Sequence, residues 1–342
     1  MTTGGLDTTE LAGRLAPHLQ ALRPGAAVRR LERLPAGLSG ITCVAELDNA
    51  ADLDRIIVKV AVAGVPPTKN RDVLRQARMI ELLRAWGRVP VPSVLFTDAG
   101  TPPHVPPLYA TEFVTGESTE PLDDEQVPDL PGHPELRQRY LHAAAVLGTL
   151  HTMPLDHSVT TASAGPAESP GDELGKWARV FAAVPEDLRG GAARCEELLR
   201  QRIPDTGPVA VLHGDYRLGN TICRGGAVAA VIDWEIWSLG DARCDLAWLL
   251  HLSDSSSPTA RRTLAGVPTR AEMITAYTSA RGVEVHGLGW FDALVLYKRA
   301  AATALIVKHN RRSPAPDARK ERAAEVIEPL LDAAAQALTE SE

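Results

Sequence analysis

The chain has 342 residues, 44% of them hydrophobic and 23% charged, enough to bury a sizeable core in one large domain or two lobes. Its formal net charge of −7 argues against a nucleic-acid partner, which needs a basic footprint. Four cysteines (Cys43, Cys195, Cys223, Cys244) stand far apart without metal-ligand spacing, and no run approaches the roughly 18 apolar residues of a membrane span. The opening MTTGGLDTTELAG lacks the basic and apolar regions of a signal peptide, so the expectation is a soluble cytoplasmic protein with reduced thiols and no membrane partner.

Leu11, Leu15, Leu19 and Leu22 recur at helical spacing over residues 9–22, with Thr8 or Thr9 as N-cap and Pro17 interrupting the pattern. Val28–Leu34 and Ile41–Leu47 read as strands joined by Pro35-Ala-Gly-Leu-Ser-Gly40. That loop is either an ordinary hairpin turn or a backbone cradle for phosphates. Arg55–Ala61 is an apolar strand holding one lysine, Lys59, and Arg71–Trp86 is a helix. Val89–Leu95 is proline-punctuated and extended, and Leu108–Val114 is a further strand ending near Glu112.

Residues 112–135 carry eight acidic side chains and no basic one, a pattern usual for solvated surface. Helices are predicted over Leu136–His151, Glu173–Phe181 and Ala192–Ile203, and a turn-rich surface loop over 156–171. Three more helices are expected at 269–281, 288–309 and 317–339. Strands first and helices afterwards give an α+β fold.

Chemistry is concentrated in Val209–Leu250. A short apolar strand leads into His213-Gly214-Asp215, and Asn220 follows after four residues. Arg224-Gly225-Gly226 is a hairpin turn between Thr221–Cys223 and Ala227–Ile232. Antiparallel pairing across it sets Asn220 opposite Asp233 with Asp215 beside them. Two carboxylates and an amide oxygen suit a hard cation such as Mg²⁺.

Asp, four residues, Asn, then Asp at the end of a hairpin is the layout of a kinase catalytic loop and its metal-binding aspartate. The stretch HGDYRLGN, followed by DWE and then GD-x-x-x-DLAWLL, resembles the aminoglycoside phosphotransferase and choline kinase-like family. Within it, the pieces resemble the branch that includes the kinase-like domain of certain acyl-CoA dehydrogenases. The resemblance runs from about residue 30 to 310.

It implies a protein-kinase-like fold of two lobes. After an N-terminal helical extension (1–29) would come a small antiparallel-sheet N-lobe binding nucleotide (30–114). A larger, mainly helical C-lobe (115–342) would carry the catalytic loop, the metal site and the acceptor side. The cofactors implied are ATP and Mg²⁺, and the partner is a small-molecule hydroxyl acceptor. Asp215 would be the catalytic base, Arg217 would steady the transferring phosphoryl group, and Asn220 and Asp233 would hold the metal. Lys59, with Ser39 and Gly40 of the loop, would bind the phosphates, and Glu112 and Val114 the adenine edge. His213 and Asp245 are expected to brace the loop. Aligning the helix by the family pattern puts Gln76 where a glutamate partner for Lys59 is expected, with Glu81 the nearest alternative. Gly214 stands where many regulated protein kinases have arginine, and the short interval from Asp233 to Asp245 excludes a long activation segment. A small-molecule kinase is therefore the leading reading, with an aminoglycoside-type antibiotic kinase or a regulatory pseudokinase as alternatives. Residues 298–322 hold eight basic and two acidic side chains; placed at the acceptor side they would favour an anionic, hydroxyacyl-CoA-like acceptor.

Overall fold

The computed structural model describes residues 7–34, 40–122, 134–163, 165–257 and 266–339. Helix α1 (Thr8–Leu22) starts on Asp7, whose carboxylate accepts the Thr9 and Glu10 amide N–H groups, so the cap is neither Thr8 nor Thr9 but the residue before them. It continues through Pro17 and buries Leu11, Leu15 and Leu19 against the first sheet. That sheet comprises β1 (Ala27–Arg33), β2 (Gly40–Asp48), β3 (Arg55–Ala61), β4 (Val94–Asp98) and β5 (Leu108–Glu112), in the order β1-β2-β3-β5-β4, with every neighbouring pair antiparallel.

Between β3 and β4 lies α2 (Val73–Trp86), started by the Asp72 carboxylate and stopped by Gly87 in the left-handed region at φ 74°. Its apolar face (Val73, Ala77, Ile80, Leu83) joins the core that continues into the helical lobe. Arg75 on α2 donates to the Trp237 carbonyl at 2.5 Å and stacks over the Trp237 ring at 4.1 Å. The helix is thereby tied to the segment that follows Asp233.

The helical lobe opens with α3 (Pro134–Leu150), α4 (His157–Ala162), α5 (Pro170–Ala182) and α6 (Ala192–Gln201). The predicted loop at 156–171 is thus corrected. Asp156 caps α4, and Ser169 with Asp172 forms a capping box that starts α5 at Pro170. The Asp, Ser and Pro that suggested turns are also the residues that begin helices.

Strand β6 (Val209–Leu212) pairs antiparallel with β9 (Ser238–Asp241), and β7 (Thr221–Arg224) pairs with β8 (Ala227–Val231) between them. The lobe closes with α7 (Arg243–Leu252), α8 (Arg270–Arg281), α9 (Leu288–Arg311), α10 (Ala318–Arg322) and α11 (Ile327–Thr339). The last predicted helix, 317–339, is two helices separated by a 3₁₀ turn at Ala323–Val326. The result is the expected two-lobed α+β architecture. Among the described residues no helix is long and apolar enough to cross a membrane.

Candidate active site

The loop after β6 is built around a buried carboxylate. Asp245, in the first turn of α7, accepts the backbone N–H of His213 at 2.6 Å and of Gly214 at 2.9 Å. Burial alone would raise its pKa, but the neighbouring imidazoles of His151, 3.6 Å away, and His213, with the His213 N–H, hold it below the ordinary range. The fully buried His213 ring reaches the Ile232 carbonyl through Nε2 at 2.9 Å. Both residues thus brace the loop. Gly214 has φ +86°, and a Cβ there would sit 2.7 Å from the Ile236 carbonyl oxygen, so glycine alone fits.

So braced, the loop presents Asp215 with both carboxylate oxygens engaged. Oδ1 accepts the Trp248 indole N–H at 2.8 Å. Oδ2 accepts Asn220 Nδ2 at 2.9 Å and Arg217 Nε at 3.3 Å. Asn220 Nδ2 also reaches the Asp215 carbonyl at 2.8 Å. With its nitrogen committed, Asn220 has its amide oxygen left as side-chain acceptor.

Asn220 and Asp233 do not stand opposite each other as the sequence suggested. The Ile232 N–H donates to the Asn220 carbonyl at 2.9 Å, so Ile232 is the opposing residue. The hairpin closes more tightly than that pairing needs, with Arg224 opposite Ala227 and Cys223 opposite Val228, a register that by itself would set Asn220 opposite Val231. One extra residue in β8, between Val228 and Ala230, then moves the partner on to Ile232, one short of Asp233. Asp233 comes next, at φ 64°, a left-handed conformation uncommon for aspartate. Such conformations persist where the surroundings enforce them, often at functional sites.

Asp233 meets Lys59. The Lys59 ammonium lies 2.5 Å from Asp233 Oδ1 and 3.6 Å from Glu235. Burial disfavours the charge, yet Tyr109, Asp233 and Glu235 together outweigh it and raise the lysine's pKa. The partner missing from α2 is therefore supplied by the segment after β8. Gln76 is buried, receiving the Tyr109 hydroxyl at 3.5 Å and donating to the Asn70 carbonyl at 3.2 Å, while Glu81 is exposed.

The remaining predicted residues fall around this centre. Arg217 donates to Glu120 at 3.0 Å as well as to Asp215, so its guanidinium is held in an ion-pair network. Ser39 and most of its loop lie outside the described residues. Gly40 opens β2, and a Cβ there would come within 3.8 Å of Lys59 Cε, so the strand passes directly over the lysine. Glu112 is half-committed elsewhere: its N–H donates to the Ser93 carbonyl at 3.0 Å and its carboxylate accepts from Ser93. Val114 follows in the linker between lobes, partly buried.

Some members of both charged stretches are engaged locally. In the acidic run, Glu117 and Glu135 pair with Arg139, and 123–133 lie outside the described residues. In the basic run, Arg311 pairs with Asp187 and Glu321, and Lys308 donates to the Ala183 carbonyl at 2.5 Å.

Lys298, expected only as one charge of the basic stretch, and Trp248, only as part of the DLAWLL piece, both meet the loop directly. Lys298 on α9 donates to the Gly214 carbonyl at 2.9 Å. Together with Trp177, Glu173, Lys176 and Ile236 it lines a cavity of about 130 Å³ against the loop. Glu173 is held below the ordinary carboxylate range because Lys298 and Lys176 outweigh the opposing effect of burial.

As a metal site, no three His, Cys, Asp or Glu side chains converge among the described residues. The donors offered are the Asp233 carboxylate, at 38% exposure, and the Asn220 amide oxygen. A small all-oxygen set fits Mg²⁺, which retains waters and takes further ligands from bound phosphates.

Known proteins resemble this chain in sequence and in fold. The curated relatives include acyl-CoA dehydrogenase family member 10 of Mus musculus, 24% identical over 82% of this chain and 27% of its own length. A probable acyl-CoA dehydrogenase, IBR3, of Arabidopsis thaliana is 25% identical over 78% and 34% respectively. The chain thus spans only 27% and 34% of the length of these two relatives. Among solved structures, a Ralstonia eutropha protein provisionally assigned as an aminoglycoside phosphotransferase superposes with TM-score 0.77 at 20% identity, covering 98% of both chains. A spectinomycin phosphotransferase in complex with ADP and spectinomycin superposes with TM-score 0.62 at 12% identity, over 98% of this chain and 99% of that one. These likenesses concern the fold. The family model for the phosphotransferase enzyme family matches residues 30–282, which take in the sheet, the braced loop, the hairpin and α7, and the chain belongs to that family.

Proposed function

We propose that the protein is an ATP- and Mg²⁺-dependent kinase that moves the γ-phosphoryl group of ATP to a hydroxyl of a small molecule. The observation that carries this reading is the meeting of Lys59 from the sheet with Asp233 from the helical lobe, beside a loop that holds Asp215 and Asn220 together.

Phosphoryl transfer asks a protein chiefly to position groups and neutralise charge. Lys59 would pair with the α- and β-phosphates of the nucleotide. Asp233 and Asn220 would hold Mg²⁺, which would offset the negative charge of the phosphates when bound. Asp215 would orient the acceptor hydroxyl and take its proton, help of a kind worth roughly 10²–10⁴-fold. Arg217, fixed by Glu120, would lend positive charge to the transferring group. Gln76, the one feature favouring a pseudokinase, is offset by the carboxylates that Lys59 finds elsewhere.

For the acceptor, an anionic molecule of the hydroxyacyl-CoA kind is supported by the names of the curated relatives. The cavity beside the loop does not choose the sign of the acceptor's charge, since Glu168, Glu173 and Asp245 line it together with Lys298 and Lys176. The stretch 298–322 supports it less than its charge suggests, since Arg311 is spent on carboxylates. An aminoglycoside acceptor is the alternative supported by the likeness in fold.

Titrating the protein with ATP, with and without Mg²⁺, and following phosphate release without acceptor tests the core of the reading. Mg²⁺-dependent binding with slow hydrolysis is expected. Tight binding with no turnover for any hydroxyl compound would favour the pseudokinase, and no binding at all would refute both.

A further inference from the structure

The hydrogen bonds on Asp215 come from two directions. Asn220 and Arg217, within the loop, hold Oδ2, while Trp248 on α7 holds Oδ1. A carboxylate gripped on one oxygen can still turn about its last torsion, which is broad and roughly two-fold. Gripped on both, it presents one orientation. Trp248 therefore decides whether the plane of Asp215 is fixed.

Trp248 is in turn set by Lys298. The ammonium lies 4.3 Å from the centre of the Trp248 ring and 5.4 Å from that of Trp177. A cation over the face of an indole is attracted by its quadrupole and draws electron density from the ring, which makes the N–H a stronger donor. The same ammonium donates to the carbonyl of Gly214, the residue before Asp215, at 2.9 Å. Its nearest carboxylate, Glu173, stands 3.9 Å away and is engaged more closely by Lys176 at 2.7 Å and by Trp177 Nε1 at 2.8 Å. The side chain of Lys298 is only 13% exposed. Burying an ammonium is costly unless it is well bonded, and here its shortest bond goes to the loop rather than to an ion pair.

We propose that Trp248 and Lys298 are positioning residues for Asp215: the lysine braces the loop and the indole, and the indole fixes the carboxylate toward the acceptor. The proposal rests on the reading of Asp215 as the acceptor-side residue. It assigns Lys298 to orienting the reacting group rather than to a plain surface charge.

The test uses the whole chain with Mg·ATP as probe and water as acceptor, comparing Trp248→Phe, Lys298→Met, Lys298→Arg and Asp215→Asn. Trp248→Phe keeps an aromatic ring and removes only the donor. Both it and Lys298→Met should leave the Kd for Mg·ATP within about twofold and lower the hydrolysis rate by about 10- to 100-fold, the size expected when a reacting group is misplaced. Lys298→Arg should recover part of that loss. In ¹⁵N-labelled protein, the Trp248 indole resonance should shift and exchange faster with water in Asp215→Asn and in Lys298→Met. An indole resonance indifferent to both substitutions, or wild-type hydrolysis in Trp248→Phe, overturns the proposal. Failure of the wild-type protein to bind Mg·ATP overturns the kinase reading alone, because the indole resonance still reports whether Asp215 and Lys298 hold Trp248.

Discussion

The ammonium of Lys59 and the carboxylate of Asp233 are 174 residues apart in sequence and 2.5 Å apart in space. Each would otherwise be an expensive charge at the junction of two lobes. Replacing Lys59 by Met removes the cation that Asp233 and Glu235 share. The affinity for Mg·ATP should fall by about 10- to 100-fold, the worth of one charge-assisted hydrogen bond. Titration of a fluorescent ATP analogue measures it; unchanged affinity would return Lys59 to a purely structural role.

The same pair sets an alkaline limit. The pKa of Lys59 is raised in the folded state, so its contribution is complete below the ordinary lysine value of 10.5 and is lost as pH rises through the raised one. Denaturant midpoints between pH 9 and pH 11.5 should therefore fall more steeply for the wild type than for Lys59→Met.

Acid should act through His251. Burial and the neighbouring charge of Arg299 push its pKa down to about 4, against an ordinary 6.5. The unfolded chain then binds a proton that the folded chain refuses, so stability is complete above pH 6.5 and declines from there to about pH 4. The loss is as much as about 3 kcal/mol. His142 and His151 are depressed by burial in the same direction. Replacing His251 by Phe should narrow the gap in unfolding free energy between pH 7.5 and pH 4.5. An unchanged gap would exclude His251 as a source of the acid sensitivity.

Asp245→Asn tests the brace beneath the loop. An amide cannot accept from two backbone N–H groups with both of its heteroatoms, so one donor of His213 or Gly214 is left unmet in a buried site. A loss of about 2–3 kcal/mol is expected by urea titration, together with a fall in ATP hydrolysis as Asp215 moves.

Gly116→Ala should be costly through backbone conformation and packing. Its φ is +151°, and a Cβ would come within 2.5 Å of Ile222 and 2.6 Å of the Cys223 carbonyl oxygen. A penalty of about 1–3 kcal/mol follows from backbone strain and overpacking, visible as a lowered denaturant midpoint.

Local chemistry explains what could be read from the sequence. His213, Asp215, Asn220 and Asp233 lie within 21 residues of one another, and the Gly225-Gly226 turn announces their hairpin, so their grouping was legible. The register was not, because nothing in the Gly-Gly turn shows that the strands close at Arg224 opposite Ala227, and the bulge in β8 makes up only one of the two residues by which that tighter closure departs from the expected pairing. Nor was β9, since Ser-Leu-Gly-Asp is a poor strand former that gains its conformation from pairing with β6. The carboxylates that hold Lys59 were hidden by distance along the chain, as were the partners of Asp215 and Gly214 on α7 and α9. Such contacts, 33 and 84 residues away, follow from how helices pack rather than from any motif.

The segment after β5 is sewn to the β7–β8 hairpin. Glu117 and Cys223 exchange two backbone hydrogen bonds, of 2.9 and 2.8 Å, and Arg224 Nε reaches the Thr115 carbonyl at 2.8 Å. The axle between the lobes is thereby shortened to Phe113 and Val114, with the Phe113 ring itself clamped 3.9 Å beneath the Arg55 guanidinium. So short a pivot has no slack to absorb movement. Any rocking of the sheet swings Lys59 on an arc around the mount that carries Asp233, and the spacing of that one pair becomes the gauge of how far the jaws stand open.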